Sequence, residues 1–436
     1  MKKVYIDTLG CAKNEYDSQV LSKLLQEQDF ELVGDPISSD VMIVNTCGFI
    51  DDAKTESIER IFELAEIKGD RKLIITGCLS QRFHDELFKE MPEVDLFFGV
   101  NNYDAIPKVL SGKVDDRRDL VDADIDKLPY RKRTLEDKPY YAYLKIAEGC
   151  NNACSFCAIP SIRGSYRSKR IEDCIREAQD LADAGIKELI LIAQDTSQYG
   201  IDLYGELKLP ELLTELCKID GIEWIRIMYV YDNSITDELI DTIAREPKIC
   251  KYVDMPIQHV ADNVLNRMRR QSSGKSIIDT INRLRDKVPN IHIRTTLLVG
   301  FPGESEEDFC ELLNFVDSMN IDRLGAFAYS DEEGTASFNL DGKLDEGTKL
   351  SRRDTIMEHQ LHISEKLNEK KIGKTFEAII DEKIEDRIYI GRSRFDAPDI
   401  DCEITITSNE QLSPGDIVKV KINNAYEYDL EGEKIQ

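Results

Sequence analysis

The alternation that begins at Tyr140 constrains this chain most. Six short apolar runs, "YAYLKIAEGC", "ELILIAQD", "WIRIMYVYD", "YVDMPIQH", "IHIRTTLLVG" and "RLGAFAYSD", are separated by helical patterns such as "IEDCIREAQDLADAG", with its acidic first turn and terminal Gly185. Parallel strands need crossover helices, and the series supplies them. A partial or complete (β/α)6 barrel of the TIM type is predicted, with chemistry gathered where the strands end. The polar residues closing the runs, among them Gln194, Asp195, Asp232, Gln258 and His259, then face one mouth.

At 436 residues the chain exceeds one ordinary core. Upstream, "KVYIDTLG", "DVMIVNTC" and "KLIITGC" alternate with amphipathic stretches, which predicts an α/β domain with a doubly wound parallel sheet over residues 1–115. Residues 116–139, charged and without a sustained period, read as a linker, and the barrel occupies 140–368. From 369 to 436 the texture changes to short alternating strands with Gly, Pro and Asp turns, the pattern of a small antiparallel β-barrel.

Three cysteines, Cys150, Cys154 and Cys157, stand at C-x3-C-x2-C spacing directly after the first barrel strand. A tight loop lets three thiolates converge on one face of a 4Fe-4S cube, and soft sulfur suits iron over hard cations. A zinc knuckle with a remote fourth ligand, for instance His259, is the plainer alternative. The second set, Cys11, Cys47 and Cys78, is widely spaced, and three buried core thiols would explain it as well. Each nevertheless closes a strand of a parallel sheet, whose strand ends share one edge, and each has a glycine beside it where the backbone must approach something closely.

Taken together, "TLGCAKNEYDSQ", "NTCGFIDDAKTESI", "GCLSQR" and "KIAEGCNNACSFCAIPSIRGSYRSK", followed by a TRAM-type tail (a small, OB-like barrel), resemble the methylthiotransferase family of radical S-adenosylmethionine enzymes over essentially the whole chain. The resemblance implies two 4Fe-4S clusters, one on Cys150, Cys154 and Cys157 and one on Cys11, Cys47 and Cys78. It also implies S-adenosylmethionine as both methyl donor and radical source, and an electron donor protein as partner. By the same resemblance Gly300 and Glu304, in "LVGFPGESEEDF", are cofactor-binding candidates, although "PGESEEDF" is equally a good helix start. Gln194 and Asp195 stand where the superfamily often carries a Gly-Gly-Glu segment, from which this sequence departs.

Other residues read more plainly. The basic run "RGSYRSKR" is either a carboxylate or phosphate site or a solvated loop, and His259, Cys174, Cys217, Cys250, Cys310 and Cys402 read as structural. Substrate choice within the family lies between an adenosine of transfer RNA and an aspartate β-carbon on the twelfth small-subunit ribosomal protein. The net charge of −27 disfavours a phosphate backbone, and residues 371–436 hold fifteen acidic against nine basic side chains. That tail suits docking of a basic ribosomal protein, and its "YIGRSRFDAPDID" resembles the ribosomal-protein branch. Transfer RNA is the runner-up, and a non-catalytic, metal-stabilised RNA-binding protein is the alternative of another class. No run of some eighteen apolar residues exists, so the expectation is a cytoplasmic protein without membrane contact.

Overall fold

The computed structural model describes residues 1–113, 119–120, 128–135 and 140–435. Residues 114–118, 121–127 and 136–139, all but the first two of them in the expected linker, lie outside the described residues.

In the N-terminal domain β1 (Lys3–Thr8), β2 (Glu31–Leu32), β3 (Val41–Thr46), β4 (Lys72–Gly77), β5 (Leu96–Phe98) and β6 (Asp119–Leu120) form a parallel sheet in the order β2-β1-β3-β4-β5-β6. The continuous apolar run of β3 is buried on both faces: Ile43 joins one core with Leu21 and Leu25, while Met42 and Val44 join the other with Ile61 and Leu64. Helices therefore cover both sides, as such a run requires. Strands β1, β3 and β4 are neighbours, so the three cysteines that follow them emerge along one edge.

The six expected barrel strands are present as β7 (Tyr141–Lys145), β10 (Glu188–Ile192), β11 (Trp224–Ile227), β12 (Ile249–Asp254), β13 (His292–Val299) and β14 (Arg323–Ala328). They pair in parallel and in sequence order to form an open six-stranded sheet. Between β7 and β10 a short antiparallel pair, β8 (Ala147–Glu148) with β9 (Arg167–Ser168), closes the base of the loop that carries Cys150, Cys154 and Cys157. Gly185 ends its helix as expected: at φ +95° it donates to the Ala182 carbonyl. Helix Glu306–Met319 opens with a reciprocal cap in which Ser305 and Asp308 bond each other's backbone N–H, worth about 1 kcal/mol.

The tail is a closed barrel of β15 (Thr375–Glu385), β16 (Ile388–Ser393), β17 (Ile404–Thr407), β18 (Ile417–Ala425) and β19 (Leu430–Lys434), in the order β15-β16-β17-β19-β18. It is not antiparallel throughout, because β17 and β19 run parallel where the barrel shuts. A 24-residue helix, Glu346–Glu369, leads into it and packs on β14.

The open barrel's inner face is filled from outside the barrel. Tyr143, Ile190, Trp224, Met228, Cys250 and Tyr252 pack against Tyr16 and Val20 of helix Ala12–Gln26, and against Ile379 and Ala397 of the tail. Each apolar side chain so buried contributes about 2 kcal/mol. At the N-terminal ends of the strands a charged layer joins barrel to tail. Glu188 pairs with Arg226 (2.8 Å) and Arg392 (2.5 Å), and Arg323 pairs with Asp396 (2.7 Å). The segment "DAPDID" is thus largely internal: Asp396 is 1 % exposed, and the Asp401 carboxylate accepts from Tyr252 (2.7 Å) beside Arg294. Of its acids, Asp399 is the one left exposed.

The described part of the expected linker lies across the two domains. Arg131 pairs with Asp104 on one side, and Arg133 reaches both Gln19 (2.8 Å) and Glu177 (3.0 Å). All eleven cysteines are free thiols. No helix among the described residues is long and apolar enough to cross a membrane.

Candidate active site

Three strand ends and one barrel loop bring the two cysteine sets to a common region. Cys11 precedes helix Ala12–Gln26, Cys47 leaves β3, and Cys78 opens the short helix Cys78–Arg82. Two glycines show how tightly these turns pack. A Cβ on Gly10, at φ +92°, would lie 2.9 Å from the Cys47 sulfur. One on Gly77, at φ +99°, would lie 2.5 Å from the Thr46 carbonyl oxygen. Cys47 and Cys78 are each close enough to Cys11 to feel its charge, and burial pushes their thiols up, that of Cys78 to about 11. Cys157 behaves alike: burial, with Cys154 and Cys150 alongside, raises it to about 12. Without metal these thiols stay protonated, whereas a bound cation would deprotonate them.

Among the described residues no group of three or more His, Cys, Asp or Glu side chains stands close enough to hold one metal ion. Each trio is a looser cage, whose all-sulfur donor set suits a multi-iron group better than a single hard cation. His259 does not join the barrel trio. Its ring is wholly buried, accepts from Ala261 N–H at 3.0 Å, and lies 3.8 Å from Glu304.

Around the barrel trio the strand ends supply a polar lining. The Tyr231 hydroxyl lies 3.7 Å from the Cys154 sulfur, and the Arg270 guanidinium stacks over the Tyr231 ring at 4.2 Å. Arg270 is 6 % exposed, and its Nε and Nη1 have no hydrogen-bond partner among the described residues. Asp195 is buried beside this group and accepts from Asn152 (2.8 Å) and Ser197 (2.5 Å). Burial raises its carboxyl despite those bonds. Gln194 instead donates to Glu148 at 2.7 Å. On the far wall Phe156, Phe301 and Tyr329 form an edge-to-face aromatic series.

Gly300 and Glu304 serve their own turn. The Glu304 carboxylate accepts from the backbone N–H groups of Gly300 (2.7 Å) and Phe301 (3.1 Å) and pairs with Arg352 (2.7 Å). The helix start read from "PGESEEDF" is present at Ser305, and the Glu304 charge is spent on the turn just before it and on Arg352.

The basic run after the barrel trio is neither a ligand site open to solvent nor a solvated loop over most of its length. Arg163 is 2 % exposed, and Lys169, wholly buried, pairs with Glu177. Arg163 donates to Asp17 (2.9 Å), Glu148 (3.1 Å), Asn14 (2.8 Å) and the Cys78 sulfur (3.5 Å). Burial alone would raise the Glu148 carboxyl, but Arg163 and Lys145 hold it well below the usual range. Sequence reasoning noted Arg163 only as part of the basic run, and it passed over Arg270, Tyr231 and Asn152. Asn152 sits inside the cysteine motif and Tyr231 near the end of a strand run, but nothing in the sequence set either apart from its neighbours.

Comparison with known proteins places these features in context. A model of the uncharacterized protein family UPF0004 matches residues 3–99, one of the radical SAM superfamily matches 144–316, and one of the TRAM domain matches 372–435. The ribosomal protein uS12 methylthiotransferase RimO of Clostridioides difficile (strain 630) is 48% identical over 439 residues, covering 99% of each chain. That of Acetivibrio thermocellus is 48% identical over 446 residues, covering 100% of this chain and 98% of its own. Among solved structures, the radical S-adenosylmethionine methyltransferase TsrM from Kitasatospora setae, with cobalamin and a [4Fe-4S] cluster bound, aligns with a TM-score of 0.60 at 14% identity over 77% of each chain. At that identity the likeness concerns the fold.

Proposed function

Because the chain belongs to the methylthiotransferase family of radical S-adenosylmethionine enzymes, we propose that it inserts a methylthio group at the β-carbon of an aspartate in ribosomal protein uS12. The observation that carries the reading is full-length identity near one half to relatives named for that activity, combined with two trios of thiols, each drawn together within its own domain.

In this reading Cys150, Cys154 and Cys157 hold one 4Fe-4S cluster, and Cys11, Cys47 and Cys78 hold the other. When bound, these groups and S-adenosylmethionine supply reductive cleavage of a sulfonium and a transferable methylated sulfur. The chain's own residues do the rest. Arg270 offers two unused N–H donors to a carboxylate, and Asp195, kept in place by Asn152 and Ser197, offers an acceptor to an ammonium group. These two suit the amino-acid end of S-adenosylmethionine, whereas Gly300 and Glu304 act one layer back by shaping the β13 turn. Phe156, Phe301 and Tyr329 exclude water on one side. Helix Ala12–Gln26 and the tail close the barrel's inner face, so a reactive species formed at the mouth is shielded from solvent.

The basic substrate docks on acids that stay exposed in the tail. Glu382, Asp399, Glu403 and Asp429 are solvent-facing, and burial together with the other three carboxylates raises Glu403. A basic polypeptide would relieve that repulsion. An electron donor protein completes the cycle, which runs in the cytoplasm, where ribosomal subunits are built.

The test is anaerobic reconstitution followed by mass analysis of uS12. A methylthio increment on an aspartate, made by protein with about eight irons, is expected, and Cys154→Ala should abolish it together with S-adenosylmethionine cleavage. Modification of transfer RNA with none on uS12 would reject the substrate assignment.

A further inference from the structure

Arg163 is the one cation that touches a member of the N-terminal cysteine trio among the described residues. It comes from the other domain, lying six residues past Cys157 at the end of the short helix Ile159–Arg163. Both terminal nitrogens of its planar fork are engaged. One nitrogen bridges Asp17 and Glu148, and the other bridges the Asn14 side chain and the Cys78 sulfur. Asp17 and Asn14 belong to helix Ala12–Gln26, which starts at Cys11, while Glu148 lies two residues before Cys150. A single side chain therefore contacts both cysteine loops.

The charge balance nearby is even. Asp17 and Glu148 face Arg163 and Lys145, and Lys145 also bonds Glu148 at 2.6 Å. Two acids and two bases cancel, which leaves the directional N–H donation onto sulfur as the uncompensated local effect. Lysine has no planar fork with which to reproduce this set of contacts.

Hydrogen bonds to cluster sulfur and nearby positive charge stabilise the more reduced, more negative state. We propose that Arg163 is a positioning residue for the group held by Cys11, Cys47 and Cys78: it donates to the Cys78 sulfur, raises the reduction potential of that group, and fixes it against the loop of the other trio. The inference rests on the two-cluster reading above. A higher potential makes the group a readier acceptor of one electron, and a fixed distance between the loops keeps both within reach of one substrate.

The experiment is potentiometric titration of reconstituted holoenzyme, followed by electron paramagnetic resonance. Signals are assigned with a Cys150→Ala/Cys154→Ala/Cys157→Ala protein that keeps the N-terminal trio alone. Arg163→Gln should make reduction of this group at least tenfold less favourable, about 59 mV more negative for a one-electron couple. Arg163→Lys, which keeps the charge between Asp17 and Glu148, should shift it in the same direction by less. Asp17→Asn breaks the same bridge between domains without touching sulfur and removes a negative charge, so its midpoint should stay or rise.

Unmoved midpoints in both Arg163 variants, with about eight irons retained, would overturn the inference and leave the two-cluster reading standing. An equal fall in Asp17→Asn would assign the effect to domain packing and overturn it too. Wild-type protein that retains only about four irons would reject the two-cluster reading, and the inference with it.

Discussion

Replacing Asp396 by Ala separates two roles for the acidic segment of the tail. Asp396 is 1 % exposed; one oxygen accepts from Arg323 Nε (3.0 Å) and Nη2 (2.7 Å), and the other accepts from Ser393 Oγ (2.5 Å). Arg323, at the start of β14, is itself 6 % exposed, so Asp396→Ala strands a buried guanidinium. Removing one partner of such a pair costs about 3–5 kcal/mol. The readout is built in: Trp224 is the only tryptophan, and it lies on the inner face within the apolar cluster that includes Ala397 of the same segment. Its fluorescence should follow undocking of the tail. With a urea dependence of about 2 kcal/mol per molar for a small domain, the midpoint should fall by about 2 M.

Removing both charges with Arg323→Met/Asp396→Ala should restore part of the loss, because no buried charge is then left alone. The pH dependence has a definite sign. Burial would raise the Asp396 carboxyl, but Arg323 and Lys371 hold it well below its ordinary value. Its contribution is full above the unfolded value near pH 3.9 and is lost as pH falls below that toward the native value. An unchanged urea midpoint together with weaker binding of uS12 would refute the reasoning and return Asp396 to the docking surface.

Two further outcomes follow from local geometry. Gly77→Ala forces a Cβ to 2.5 Å from the Thr46 carbonyl oxygen and 2.6 Å from Asn45 Oδ1, so a loss of about 3 kcal/mol and of roughly half the reconstituted iron is expected, read by urea unfolding and iron assay. Burial drops His259 to about 4, so the folded protein refuses a proton that the unfolded chain accepts below about pH 6.5; stability should then fall by up to about 1.4 kcal/mol per pH unit as the pH drops from about 6.5 toward about 4, and His259→Asn should flatten that slope over the same window.

The cysteine readings show how far linear pattern reaches. Cys150, Cys154 and Cys157 lie within eight residues, so a short loop suffices to gather them, and β8 with β9 closes that loop. Cys11, Cys47 and Cys78 are far apart in the chain, yet the strand each follows was legible from period and length, and adjacency of β1, β3 and β4 did the rest. The helix start at Ser305 was equally local. Charged residues were harder. "RGSYRSKR" reads the same whether water or a carboxylate faces it, and the partners of Arg163, Asn14 and Asp17, stand 149 and 146 residues away.

The sequence by itself determined what depends on near neighbours: strands and crossover helices, caps, the clustered thiols Cys150, Cys154 and Cys157, and the local motifs that point to the family. Tertiary structure decided which charges are internal. The acids of "DAPDID" that suited a docking surface are mostly consumed by Arg323 and Arg294, and the barrel's inner wall is sealed by the tail and by helix Ala12–Gln26. The physical reason is that desolvating a charge is tolerable only when a partner of opposite sign is already in place. That partner is set by how whole domains dock, which no local period encodes.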